Sequence, residues 1–203
     1  MRQSLATSRV AVLICVLCGS ARSAELPGFE AMQTGPGTPG RWETVVDAEA
    51  ADGRAVVQTS DDPTDDRFPL LIRMATAPAD VRVRTRIKPM AGSVDQAGGM
   101  ALRLLDRNNY YLVRANALES NVRFYKVTAG RRVQLAGADL PVTAGAWHEL
   151  AITAREDRFA VSFDGRELFT AVDETFRSPG KIAFWTKADS VTWFDRLDVD
   201  ELW

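Results

Sequence analysis

Between residues 98 and 126, GGMALRLLDRNNYYLVRANALESNVRFYK, arginines, asparagines and tyrosines recur at alternate positions. Short connections at 106–109 and 117–120 divide the stretch into three strands. With Leu105 opposite Tyr110 and Asn116 opposite Asn121, alternation sorts the side chains onto two faces. Met100, Leu102, Leu104, Tyr111, Val113, Ala115, Val122 and Phe124 form an apolar face. Arg103, Tyr110, Arg114, Asn116, Asn121, Arg123 and Tyr125 share the other. Guanidinium forks suit carboxylate, sulfate or phosphate groups, amides both donate and accept, and a tyrosine ring offers an apolar plate. This register sets Arg114 across from Arg123, and opposed like charges are unfavourable. Something negative or polar must lie between them, either a carboxylate of the chain or a bound ligand.

Other chemistry-bearing groups are less organised. DDPTDD at 61–66 holds four aspartates in six residues, oxygen ligands of the kind calcium takes, but in no EF-hand spacing. Repelling aspartates in a turn read as solvated, and neither a metal nor a cofactor is expected. His148 alternates with Leu150 and Ile152, lacks a nucleophile or second histidine by motif, and is expected to point inward as a structural residue. DVRVRTRIK at 80–88 alternates strictly, with Arg82, Arg84, Arg86 and Lys88 on one side. In a chain of formal net charge −2, that stripe is expected to be a solvated face paired to acidic neighbours. No nucleic-acid partner is expected, since there is no basic excess.

These groups need elements to hold them. The chain has 203 residues, 46 % hydrophobic and 26 % charged, enough for one globular domain with a substantial core. Residues 1–23 resemble a secretory signal peptide: Arg2 and Arg9, the apolar run VAVLICVLC, then small residues, with cleavage after Ala21 or Ser23. The run is too short for a membrane span, which takes about 20 residues. A periplasmic or extracellular destination follows. Both cysteines, Cys15 and Cys18, lie in this run, so the mature domain would hold none; lipidation at Cys18 is the alternative, against which stands the bulky Leu17. Residues 24–41 read as an extended, glycine- and proline-punctuated lead-in, and 42–203 as the domain.

Within the domain, WETVVD, AVVQTS, FPLLIRMA, RRVQLAG and WHELAITAR read as strands, and RFAVSFDGRELFTA as a hairpin turning at Asp164 and Gly165. In GKIAFWTK, Ile182 and Phe184 take the core side while Trp185 and Lys187 point the other way. In VTWFDRLDVDEL the parity slips between Phe194 and Leu197, which predicts a bulge. Twelve or thirteen strands without a helical stripe argue an all-β, two-sheet antiparallel jelly-roll sandwich.

The combination GRWETVVD, RFPL, the central stretch, WHEL, SFDG and WTKADSVTWFD resembles the concanavalin A-like (laminin G-like) lectin and glucanase jelly rolls. It is most similar to the bacterial 3-keto-disaccharide hydrolase domains. The resemblance spans about residues 26–203 and matches Arg103, Tyr110, Arg114, Asn116, Asn121, Tyr125, Trp185, Lys187 and Asp189. It implies a concave sheet face that takes a glycan. On that face Trp185, Tyr110 and Tyr125 would be platforms, and Arg103, Arg114, Asn116, Asn121, Arg123 and Lys187 would bond a sugar, including an anion-bearing one. The first reading is a non-catalytic carbohydrate-binding domain. The alternatives are a hydrolase or lyase on 3-keto-disaccharides or related glycosides, and a structural or protein-interaction domain. Glycosidases flank the bond with two carboxylates, and no Glu-x-Asp-x-x-Glu run occurs. An elimination needs only one base and an electrophile, roles open to Glu119 or Asp189 beside Lys187 or Arg114.

Overall fold

The computed structural model describes residues 26–203. The proposed leader, with Cys15 and Cys18, lies outside the described residues. Fourteen strands follow: β1 Phe29–Thr34, β2 Trp42–Val46, β3 Arg54–Gln58, β4 Phe68–Arg73, β5 Val81–Ala91, β6 Ala97–Asp106, β7 Asn109–Asn116, β8 Asn121–Thr128, β9 Arg131–Asp139, β10 His148–Arg155, β11 Arg158–Phe163, β12 Arg166–Val172, β13 Lys181–Thr186 and β14 Val191–Glu201. They form two antiparallel seven-stranded sheets. The front sheet runs β1-β4-β13-β6-β7-β8-β9 and the back sheet β12-β11-β10-β5-β14-β3-β2. The described residues contain no helix, and so none long and apolar enough to cross a membrane. The stretch expected as a lead-in is extended, but residues 29–34 are paired into the front sheet as its edge strand.

Alternate residues of both sheets meet in the core. Met100, Leu102, Tyr111, Val113 and Phe124 from the front pack on Val83, Ile87, Ile152, Phe159 and Phe194 from the back. Aromatic contacts knit the middle, with Tyr111 4.7 Å from Phe159 and 5.1 Å from Phe176, ring centre to ring centre. Such pairs add about 0.5–1.5 kcal/mol each beyond burial. The Tyr111 hydroxyl donates to Asp173 Oδ1 and accepts from Phe176 N–H. Burial, chiefly, and the neighbouring Asp173 raise it to about 12, so it remains a neutral donor.

Two sequence expectations are met at turns. Asp164 and Gly165 both have positive φ, 48° and 76°, as a primed hairpin turn requires. β14 slips register against β5 between Asp195 and Asp198, with Arg196 at φ 60°. That bulge lets Phe194 and Leu197 both face inward although they are three residues apart.

The front sheet buries both of its faces. Behind the core cluster, Leu70, Ile72, Ala101, Tyr110, Leu112, Tyr125 and Trp185 form a second apolar cluster on the outer face. Among the described residues no further sheet covers them; the sheet curls over itself. Phe68 on β4 and Arg132 on β9 are five strands apart, about 24 Å if the sheet were flat. Yet the Arg132 guanidinium sits 5.3 Å from the Phe68 ring centre, so this outer face is concave.

Candidate functional site

Register places the predicted polar residues in rows across the concave face. Asn116 pairs with Asn121 and Arg114 with Arg123, as alternation predicted. The arginine row continues through Trp185, Gly99, Arg114, Arg123 and Gly137. Both glycines are needed there. A Cβ on Gly99 would lie 2.8 Å from the Cβ of Arg114, and one on Gly137 would lie 2.5 Å from the Cδ of Arg123. Gly137 thus leaves room for the Arg123 side chain to lie over it, while Gly99 lets the β7 backbone at Val113 and Arg114 approach closely.

The opposed charges are separated by carboxylates of the chain. Arg114, with a 5 % exposed side chain, donates to Glu119 Oε2 at 2.7 Å, Asn121 Oδ1 at 2.6 Å and the Tyr125 hydroxyl at 3.1 Å. Arg123 pairs with the largely exposed Asp139. Of the two possibilities the sequence left open, an internal carboxylate therefore accounts for the charge pair.

Asn116 ties the β7–β8 turn to the opposite rim. Its Oδ1 accepts from Leu118 and Glu119 N–H, and its Nδ2 donates to Asp95 Oδ1 at 2.7 Å. The other Asp95 oxygen meets Lys187 Nζ at 3.0 Å, and Lys187 also bonds Asp65 of the β3–β4 loop. An ion-pair chain thus crosses the rim from Asp65 through Lys187 to Asp95. Burial, the largest influence on Asp95, raises its carboxyl above the usual range despite Lys187. For Glu119 burial acts in the same direction, but Arg114 and Asn121 outweigh it and hold the carboxyl low. Two neighbouring carboxyls are thereby pushed apart in acidity.

Asp189 is a positioning residue for this rim. Its carboxylate accepts from the N–H groups of Ser93, Val94 and Asp95 and from the Ser93 hydroxyl. Burial opposes its ionisation, but these donors prevail and lower it to about 2. Arg67, wholly buried, bonds Thr38 O, Ala188 O and Ser60 Oγ, joining three loops at the same end.

Several expected ligand groups are placed elsewhere or enclosed. Arg103 is not on the concave face. At φ 45°, within the irregular pairing of β6 with β7 between Leu102 and Asp106, it reverses the alternation and turns inward. It donates to Ala79 O and Phe176 O and lies 5.2 Å from the Phe159 ring centre. Leu104, expected in the core, consequently joins the outer cluster. Trp185, Tyr110 and Tyr125 are on the expected face but only 0 %, 1 % and 8 % exposed, so none is a platform for a sugar. The curl of the sheet and Phe68, stacked on Trp185 at 5.6 Å, cover them. Asn116 and Asn121 are buried scaffold amides.

The groups left open to solvent are Glu119, Asp139, Asp65 and, partly, Arg123. Alternation had indicated only Arg123 of these. Glu119, Asp139 and Asp65 lie in turns or at strand ends, where no periodicity marks a face. In the 61–66 loop, Asp62 binds Thr38 and Thr64 while Asp65 faces Lys187. Among the described residues no three metal-ligating side chains converge.

The remaining expectations concern the back sheet. His148 accepts from Thr143 N–H at Nε2 and faces Asp164 at 2.8 Å through Nδ1, anchoring the β11–β12 turn. Three of the four β5 cations are paired, Arg84 with Asp200, Arg86 with Asp195, and Lys88 with Asp47 and Glu49, but the stripe is not solvated throughout: Lys88, Asp195 and the side chain of Asp47 are buried.

No protein-family model and no curated protein matches the sequence. Solved structures do match the fold. A carbohydrate-binding module, CBM66, from Bacillus subtilis superposes with a TM-score of 0.68 at 22 % identity, over 86 % of this chain and 96 % of that one. A B. subtilis protein of unknown function with a galectin-like fold gives 0.62 at 10 % identity, over 85 % and 89 %. A Bacillus licheniformis beta-glucanase gives 0.57 at 13 % identity, over 88 % and 94 %. The chain has the galectin and concanavalin-like jelly-roll fold.

Proposed function

We propose that this chain is a secreted or periplasmic, non-catalytic carbohydrate-binding module that takes a sugar on the concave face of the front sheet. The observation carrying this reading is the rim of Glu119, Arg123 and Asp139. Glu119 stands half-open, Asp139 largely exposed and Arg123 partly exposed along a curled face, and Arg114, Asn121 and Asn116 hold the Glu119 turn in place. A sugar's vicinal hydroxyls suit such carboxylate and guanidinium pairs, because each charged partner strengthens the bond it makes. The neighbouring CBM66 supports the reading at the level of architecture. The carboxylates of the rim are tied up in ion pairs, which favours recognition over catalysis. A glycan array followed by titration of the hits tests it. Glu119→Gln and Arg123→Gln are expected to weaken binding about tenfold each. Unchanged affinity in both would remove the site.

The alternative, a hydrolase or lyase on 3-keto-disaccharides or related glycosides, rests on Glu119, a rim carboxylate that is about half-exposed and held beside the Arg114 guanidinium. An elimination needs one base and one electrophile. Asp95, bonded through both oxygens to Asn116 and Lys187, is enclosed and takes no part. On this reading the wild type turns over a 3-keto-disaccharide and Glu119→Gln abolishes turnover.

A further inference from the structure

Arg132 differs from the chain's other interior arginines. Arg67, Arg103 and Arg114 each donate to carbonyl, carboxylate or hydroxyl groups of the protein, although Arg103 Nη2 and Arg114 Nε are also left without a partner. Arg132 is held between two aromatic rings, 5.3 Å from the centre of Phe68 and 4.8 Å from that of Tyr125. Its Nη1 is buried without a hydrogen-bond partner. Among the described residues no carboxylate lies within ion-pair distance of it. The rings fix the guanidinium plane, so its rotational freedom is already spent before anything binds.

Beside it opens a cavity of about 420 Å³, walled by Arg131, Arg132, Asn108, Gly130, Thr34 and Asp66. The cavity shares Phe68 and Arg132 with the floor of the concave face, where Trp185 and Tyr110 lie. Tyr125 connects it to the rim: one edge of its ring carries the hydroxyl bonded to Arg114, and Arg132 lies over the ring. The cavity and the rim are therefore neighbouring parts of one groove.

Arg132 lines this polar cavity with its Nη1 enclosed; a guanidinium without an ion-pair partner at such a wall is suited to a planar two-oxygen anion, since carboxylate oxygens match the spacing of its fork. Arg131 adds a second positive charge, and Asn108 a neutral donor. Asp66 also lines the cavity, and Asp65 is near enough to feel the charge of Arg132; both oppose an anion, so removing the Asp66 charge should help. We infer that this cavity binds the carboxylate of an acidic sugar, a hexuronate, with Arg132 as its anchor. The inference rests on the sugar-binding reading above and specifies its ligand class.

The test is an array of hexuronate oligosaccharides, each beside its carboxyl-reduced neutral counterpart and a sulfated neutral counterpart, probed with the intact protein. At least one uronate is expected to bind about tenfold or more tightly than its reduced partner. Arg132→Gln should abolish that difference while leaving affinity for the neutral partner within about twofold and the circular dichroism unchanged. Arg132→Lys, which keeps charge and loses the fork, should fall between, and Asp66→Asn should strengthen uronate binding severalfold. Equal binding of each pair, a preference that survives Arg132→Gln, or a preference for sulfate over carboxylate would overturn the inference while leaving sugar binding intact. Binding of no sugar at all would sink both. If Arg132→Gln unfolds, Arg132→Lys and Asp66→Asn decide the matter alone.

Discussion

Arg84 and Arg114 are both outward-facing arginines in mid-strand, one on each sheet, yet they do different jobs. Arg84 is about one-third exposed and pairs with Asp200 and Asp198, which are more exposed still. Water competes for each of these groups, so the pairs contribute little. The Arg114 side chain is 5 % exposed, and three partners surround it inside a curled face. Its desolvation has already been offset by those partners, and removing either side strands the other. The two faces contain similar residue types; curvature decides whether a charge is a solubilising group or part of a built site.

That contrast can be broken in four places. Arg114→Ala should cost most, about 3 kcal/mol, because it leaves buried groups of Asn121 and Tyr125 unpartnered. In a chain of this size that lowers the melting temperature by roughly 6–12 °C, measurable by calorimetry. Asp189→Ala should cost about 2–3 kcal/mol by stranding the N–H groups of Ser93, Val94 and Asp95, with faster hydrogen exchange confined to that loop.

The third test is acid titration. Asp189 is lowered to about 2 from an ordinary value of 3.8, so the folded state favours its ionised form. Its contribution is complete above the unfolded value and disappears as pH falls from about 4 towards 2. Wild type should lose stability over that window more steeply than Asp189→Ala; parallel curves would contradict the assignment. Arg84→Ala should have the smallest effect, below about 0.5 kcal/mol and smaller still in high salt. A larger loss would mean that the back face is also a built site.

The sequence made the pairing of β7 with β8 legible, because the four-residue turn at 117–120 fixes register and alternation then assigns every side chain. The same logic fails at Arg103, where a single positive φ and an irregular stretch of β6 reverse the faces. Gly180 is the local sign of that departure: a Cβ there would lie 2.6 Å from the Arg103 carbonyl carbon. Exposure was not legible at all. Alternation gives the face of Trp185 but not the curvature that brings Phe68 over it. Arg67 and Arg132 went unnoticed because their roles come from strands and loops distant in sequence, and one arginine beside a turn looks like another. The bulge at Arg196 was legible because two apolar residues three apart could not otherwise both be buried.

The positions of β13 and β14 bear on how the chain folds. β13 lies between β4 and β6, and β14 between β3 and β5, so the strands of residues 181–201 complete the middle of both sheets. Until they dock, each sheet is split in two, with strand edges unpaired in its interior. Those edges are templates for mispairing, and their closure brings together segments roughly eighty to nearly a hundred and forty residues apart, a slow step. Completion of both sheets therefore waits for residues 181–201, and shielding of the earlier strands matters most before residue 181 is available.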